Sequence, residues 1–373
     1  MSLQLSNATP LALVLSTAAA AFIFCVGIYP FYIKWLQSKQ ISQFIREEGP
    51  KSHAVKAKTP TMGGLCFIIG ILLSSCFVLA GANLEPENTY RMLVVLGVGT
   101  CCGLLGLADD YGKVTSKSNA GISAKFRLFC EFGLGLVLGA ALYFLRLSPN
   151  FIYSTNQDTC VMYQPFSGAL EFVYLFAFLP FLVAGSSNAL NLHDGMDGLC
   201  GGTSCIVFAT LAYMLYLSDH WPLACIAASA SAALLAFLCY NKYRAKVFMG
   251  DTGSLFIGAL MASLVACGGL LIWFIPLALI YIVETLSVIS QVVYFKLTKP
   301  YTPDKPMSQI ALAVYKLRHK LPGEGKRLFK MAPIHHHFEA VGAEKGIKEW
   351  QVVVCFWLCQ IAICAFCAFC FSQ

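Results

Sequence analysis

QVVVCFWLCQIAICAFCAFCF, residues 351–371, runs for 21 positions without a charged side chain. A helix rises about 1.5 Å per residue and the hydrocarbon core of a bilayer is about 30 Å thick, so roughly 20 apolar residues cross it. This segment is long enough to span a membrane. Nine runs of the same kind lie upstream, at 11–33, 63–82, 91–108, 127–147, 170–187, 202–217, 222–240, 252–270 and 272–295. Only the turn Ser218-Asp219-His220-Trp221-Pro222 separates the sixth from the seventh. The 373-residue chain is 58% hydrophobic and 12% charged, with a mean hydropathy of +0.68, which leaves no stretch for a separate soluble domain. The expectation is an all-α polytopic integral membrane protein: one membrane-embedded domain, 1–373, with about ten transmembrane helices.

The lysines and arginines test that count. Loops after spans 1, 3 and 7, the start of span 4 and the long segment 296–350 hold 24 of the 26, and only Arg91 and Arg146 fall on the other face. By the positive-inside rule the charged face is cytoplasmic and both termini lie outside. The net charge of +7 is thus a one-sided basic surface suited to anionic lipid and anionic substrates, and nothing in it suggests nucleic acid. The first ten residues lack the basic start of a cleaved secretory signal, so the first run is expected to remain a span. Seventeen cysteines fall mostly inside apolar runs, as at Cys355, Cys359, Cys364, Cys367 and Cys370, and read as small buried hydrophobes without disulfides.

Four segments on the cytoplasmic face carry polar chemistry. GLADDYGK, residues 106–113, ends span 3 with adjacent carboxylates, which are costly at a membrane boundary unless paired, solvated or bound to a cation. A bland reading is a solvated helix end, with Asp109 paired to Lys113 at i+4. NALNLHDGMDGL, residues 188–199, is read as a turn-rich loop after span 5, and lacks the spacing of an EF-hand. VFMGDTGSL, residues 247–255, follows Lys242, Arg244 and Lys246. Its Asp251 at a helix start suits Mg²⁺, or merely an N-cap. MAPIHHHFE, residues 331–339, lies in the basic 296–350 loop; three consecutive histidines cannot all ligate one ion, and phosphate contact fits them better than zinc. Glu131 and Glu284 lie inside spans, where interhelical hydrogen bonding is the default. Many carboxylates for a divalent cation and many Lys and His for phosphate oxygens, all at a membrane surface, point to phosphoryl chemistry on a lipid. No Walker loop, GxGxxG or GxSxG stands in a suitable context, which disfavours ATP hydrolysis, dinucleotide redox and serine-hydrolase chemistry.

TPTMGG, GLADDYGK with GISAK, NALNLHDGMDGL, VFMGDTGSL and MAPIHHHFE, in that order and with ten spans, give a chain that resembles the phospho-N-acetylmuramoyl-pentapeptide transferase family. That family is a branch of the polyprenyl-phosphate N-acetylhexosamine-1-phosphate transferases, and the histidine motif looks specific to the branch. The resemblance implies transfer of phospho-MurNAc-pentapeptide from UDP-MurNAc-pentapeptide to undecaprenyl phosphate, giving lipid I and UMP with Mg²⁺ as cofactor. It implies a multi-pass protein of the bacterial cytoplasmic membrane, acting as a homodimer. Asp109 is then the base that deprotonates or orients the lipid phosphate, with Asp110 beside it and Asp251 as metal ligand. Asp194 and Asp197 shape the nucleotide site; Phe248 stacks on uracil, with Lys56, Asn191 and Asn241 around the uridine. Lys113, Lys117, Lys125, His335 and His336 engage phosphates, and Thr61, Asn188 and Ser254 complete the substrate-binding set. Direct attack of the lipid phosphate on the β-phosphorus is favoured over a phospho-enzyme.

The sequence departs from the family at His193 and Met196, where Thr and Leu are expected, and in a longer loop from Lys296 to Arg327. Within that loop Ile310–Arg318 reads as an amphipathic segment suited to the membrane surface. Two alternatives are a UDP-GlcNAc-using branch of the superfamily and a non-enzymatic transporter. Polar motifs confined to one face, and no internal repeat, argue against the transporter.

Overall fold

The computed structural model describes residues 9–39, 41, 59–116, 121–147, 151–156, 159–163, 167–303 and 307–373. Ten helices are long and apolar enough to cross a membrane: α1 (Pro10–Ser38), α2 (Gly64–Gly81), α3 (Pro86–Ser116), α4 (Ala124–Phe144), α5 (Ala169–His193), α6 (Leu199–Leu217), α7 (Trp221–Asn241), α8 (Gly250–Cys267), α10 (Leu279–Leu297) and α13 (Glu349–Phe371). The short helices α9 (Leu271–Leu277), α11 (Gln309–Arg318) and α12 (Ile334–Glu344) complete the helical set among the described residues. All ten expected spans are present, and the protein is a multi-pass membrane protein.

The differences have local causes. Pro276 removes a backbone donor, and the expected ninth span divides at Ala278 into α9 and α10. Spans 6 and 7 stay separate because Asp219 takes a left-handed conformation, φ +61°, in the turn between them. Helix α5 runs on to His193, so Asn188 and Asn191 lie on its last turns rather than in a loop. One two-stranded antiparallel hairpin, β1 (Phe151–Asn156) with β2 (Thr159–Tyr163), joins α4 to α5. It is docked to the bundle by the Ile152 N–H on the carbonyl of Gly269. The amphipathic segment does form a helix, α11, with Ile310 78% exposed.

Helix α8 is the axis of the bundle. Every residue from Thr252 to Cys267 is buried, as expected for a helix apolar all round. With no aqueous hydrophobic effect to drive association in lipid, helices approach through small residues and dispersion contacts. Gly106 of α3 lies on the backbone of Asp251 and Thr252, Gly64 of α2 on Gly253, and Gly258 of α8 on Ser186 and Ser187 of α5.

Charge fixes the register of α3 against α8. At the start of α8, Asp110 accepts from the backbone N–H groups of Asp251 (3.2 Å) and Thr252 (3.0 Å). At its other end the buried Arg91 donates to the carbonyl of Cys267 and pairs with Glu87. An acid meets the positive end of the α8 dipole and a base the negative end. The 19 helical steps from Arg91 to Asp110 span about 28 Å, matching the length of α8 and the thickness of the hydrocarbon core. Arg91, an exception to the positive-inside pattern, is thereby explained: it is a helix-end partner rather than a topology signal.

Gly258→Ala should lower the melting temperature in detergent although alanine is the better helix former. A Cβ there collides with the Ser186 carbonyl and the Ser187 backbone, a clash of about 1–3 kcal/mol. Gly97→Ala, with no neighbour within 4 Å of the added carbon, should leave it unchanged or raise it.

Candidate active site

The last two turns of α3 carry Asp109, Asp110 and Lys113, because the helix continues past the carboxylates to Ser116. Asp110 turns inward. Besides the two backbone amides, its Oδ2 accepts from the Thr252 hydroxyl at 2.7 Å. The N-cap of α8 is therefore supplied by another helix, and Asp251 does not cap its own. Gly250 is required twice over: its φ is +73°, and an added Cβ would meet Asp110 and the buried Thr61 hydroxyl. The segment bearing Thr61 is pinned by Phe248 N–H on the Pro60 carbonyl (2.8 Å), Gly63 N–H on Phe248 (2.8 Å) and Gly64 N–H on Met249 (3.0 Å).

Relieved of capping, Asp251 becomes the meeting point of four helices. Its Oδ2 accepts from Lys113 of α3 (2.9 Å) and Arg127 of α4 (3.0 Å), and its Oδ1 from the Asn191 amide of α5 (2.7 Å). Asn191 also donates to Ser254 (3.0 Å). Lys113 is shared, standing 2.6 Å from Oδ2 of Asp109, so the expected i,i+4 pair is present. Oδ1 of Asp109 accepts from the Ile122 backbone N–H at 2.6 Å, and Gly121 lies directly against the same carboxylate. Arg127 also donates to Asn188 Oδ1 (3.2 Å), whose amide nitrogen donates to Glu131. Glu131 is thus interhelically bonded, as expected.

The histidine helix docks elsewhere on the same face. His335 is fully buried, its Nδ1 3.0 Å from Oε2 of Glu284 in α10. Burial holds this imidazole down at about pKa 4 despite the adjacent carboxylate, so near neutrality it offers hydrogen bonding rather than charge. His336 pairs with Glu339 at 2.9 Å. Between the histidines and α8 lies the turn after α5, where Gly195 sits against the Nε2 atoms of His335 and His336. Asp194 of this turn keeps some exposure. Burial, then repulsion from Asp251, Asp110 and Asp197, pushes its carboxyl up from 3.8 to about 7.

Other expected site residues are placed apart from Asp251. Asp197 accepts from Ala245 N–H (3.0 Å), and Asn241 bridges Gly198 N–H (3.0 Å) and the Val247 carbonyl (2.9 Å). These braces hold the loop that carries the half-buried Phe248. Asp197 also lines a cavity of about 350 Å³ with Lys242, Tyr243, Trp350 and Trp357. Lys125 is exposed at the start of α4. Lys56 and Lys117 lie outside the described residues.

Sequence reasoning missed Arg127, counted only as a topology charge; its position four residues before Glu131 on one helix face was the available signal. It also missed Thr252 and the Ile122 amide, which nothing in the residue types announces.

The donor set fits a hard divalent cation. Asp251 uses three of its roughly four lone-pair directions on protein donors, leaving room for one metal bond. Magnesium commonly takes only one or two protein carboxylates, completing its shell with water and substrate phosphate.

Residues 92–269 match the family model described as Glycosyl transferase family 4. The chain is 35% identical to the phospho-N-acetylmuramoyl-pentapeptide-transferase of Bacillus subtilis over 92% of its own length and 93% of the relative's. It is similarly related to the proteins of that name from Oceanobacillus iheyensis, at 38% over 92% and 93%, and Acaryochloris marina, at 41% over 88% and 78%.

Two outcomes are expected of this geometry. Asp110→Ala should destabilise the fold by about 2 kcal/mol or more, since it strips the buried end of α8 of its acceptor; a lowered melting temperature reads this. For Asp194 the folded state keeps a proton that the unfolded state loses above about pH 4. Stability therefore falls as pH rises from about 4 to about 7 and is level above. In EDTA, the melting temperature of Asp194→Asn should gain on the parent by about 2 °C or more between pH 5 and pH 8, and a constant difference would sink this account.

Proposed function

This chain belongs to the phospho-N-acetylmuramoyl-pentapeptide-transferase family, and on that footing we propose that it transfers phospho-MurNAc-pentapeptide from its UDP carrier to undecaprenyl phosphate. The products are lipid I and UMP. Convergence of Lys113, Arg127 and Asn191 on Asp251, next to Asp109, is the observation that carries the reading to particular residues.

A phosphoryl transfer asks for alignment and charge neutralisation more than for covalent machinery. The lipid phosphate, largely ionised near neutral pH, attacks the β-phosphorus of the donor. The bond from that phosphorus to the bridging oxygen breaks, and UMP leaves with the oxygen. Asp109, fixed by Ile122 and Lys113, orients the acceptor phosphate and takes any remaining proton. Lys113 and Arg127, which now neutralise Asp251, are placed to turn to the nonbridging oxygens of a bound diphosphate. Mg²⁺, held through Asp251, would supply further neutralisation of those oxygens. Asp110 acts by positioning Asp251 and need not touch substrate. Asp197, Asn241 and Phe248 are assigned to the nucleotide, and His335 and His336 to the donor side of the turn after α5. One diphosphate linkage replaces another, so the reaction runs without ATP and is reversible with UMP. The homodimer belongs to the same proposal, and cross-linking in native membranes tests it.

The decisive assay is UMP release by protein purified in detergent, with undecaprenyl phosphate and Mg²⁺. UMP should appear with UDP-MurNAc-pentapeptide and not with UDP-GlcNAc; the reverse preference would move the protein to the polysaccharide branch. EDTA should abolish turnover, and Asp109→Ala or Asp251→Ala should each lower it by about 100-fold or more. Near-normal turnover in either variant rejects its assigned role. One equivalent of UMP released without lipid acceptor would replace direct attack by a phospho-enzyme.

A further inference from the structure

His193, which departs from the family pattern, is not absorbed by the mechanism above. It ends α5, fully buried, beside Glu284 of α10 and His335 of α12, which are also fully buried. One ring nitrogen from each histidine and one carboxylate oxygen lie within 4.8 Å of one another. We propose that His193, Glu284 and His335 form a binding site for Zn²⁺, separate from the magnesium chemistry at Asp251, that clamps the histidine helix to the bundle.

Hydrogen bonding fixes which atoms face the centre. With the Thr203 hydroxyl donating to the Leu199 carbonyl at 3.0 Å, its lone pair accepts from His193 Nε2, 3.1 Å away, and this is the tautomer the metal site requires. Nε2 then carries the ring hydrogen and Nδ1 presents a lone pair. That lone pair faces Oε1 of Glu284 at 3.5 Å, and neither atom has a hydrogen-bond partner. Two facing acceptors repel each other unless a positive centre stands between them. The bond from His193 to Thr203 is also the outer contact that orients metal-bound imidazoles.

Charge gives a second, independent reason. Among the described residues, only the two histidines come within ion-pair distance of Glu284, and no lysine or arginine does. A fully buried carboxylate with no lysine or arginine beside it is among the costliest arrangements in a protein unless a positive centre pairs with it. A divalent cation compensates it.

The spacing and ligand types favour zinc. Ligands about 2.0–2.1 Å from a tetrahedral zinc stand roughly 3.4 Å from each other, close to the 3.5 Å found between Nδ1 of His193 and Oε1. Two imidazoles and one carboxylate are a known zinc set, leaving the fourth position for water. Two nitrogen ligands disfavour magnesium. Coordination through Nδ1 of His335 requires the tautomer in which its ring hydrogen, now directed at Glu284, sits on Nε2 instead. Adjacent His336 and His337 take no part, consistent with consecutive residues pointing apart.

The test uses the full chain carrying a tag without histidine, purified in detergent, stripped with EDTA and desalted after exposure to equimolar Zn²⁺. Mass spectrometry of the metal should find about one zinc per chain, retained against a ~1000-fold excess of Mg²⁺. Co²⁺ in its place should give the intense visible absorption of a four-coordinate ion. His193→Ala should weaken zinc binding by about 100-fold or more, while His319→Ala should bind as the parent does. The cobalt spectrum of the parent decides the matter even if substitutions at Glu284 fail to fold. No retained zinc in the parent would overturn the proposal. Equal retention in His193→Ala would place the metal elsewhere and overturn it too.

Discussion

The pairing of α3 with α8 at both ends of the latter is the constraint on which the rest of the molecule depends. A helix buried on every side cannot leave its terminal amides and carbonyls to water, and in lipid there is no water to receive them. Asp110 and Arg91 solve both ends from one neighbouring helix. The solution is costly in isolation, since each charge must leave water, and it works because each finds oriented backbone dipoles and a second partner. Once Asp110 fills the N-cap, the next carboxylate, Asp251, is left at the surface of the bundle, aimed at Lys113, Arg127 and Asn191. Site chemistry and helix packing are thus two faces of one contact: the capping carboxylate is structural and its neighbour is available for substrate.

Much of this architecture was legible from residue types. Span length and one-sided basic loops are read directly from apolar runs and from lysine and arginine positions, and all ten spans lie where those runs are. Helix breaks followed Pro276, which sequence does show, though span-length reasoning bridged it. The ends were less legible. Asn188 and Asn191 look like turn residues, yet they lie on α5 because partners on two other helices, α4 and α8, satisfy their amides, and those partners are far away in sequence. Asp109 and Asp110 are adjacent and chemically identical, and nothing local says that one faces the helix end of α8 and the other the Ile122 amide. Only the crossing of α3 over α8 separates their roles.

The polar end of the bundle divides into two centres with different chemistry. Around Asp251 the groups are carboxylates, an amide, a lysine and an arginine, partly open to solvent and suited to exchanging partners with phosphates. Around Glu284 they are imidazoles, fully buried. The turn at Asp194 and Gly195 lies between them, against His335 on one side and within electrostatic reach of Asp251 on the other.

The hydrogen bond from the Ile122 main chain to Asp109 has an evolutionary side. A contact made by a peptide N–H survives almost any replacement of the side chain at its own position, so drift at residue 122 leaves the orientation of Asp109 intact. Vulnerability is concentrated instead in Gly121, where any side chain would press on the carboxylate. Resistance to a compound that exploits the pose of Asp109 would thus have few routes through this loop: the residue that could vary does not matter, and the one that matters has no room to vary.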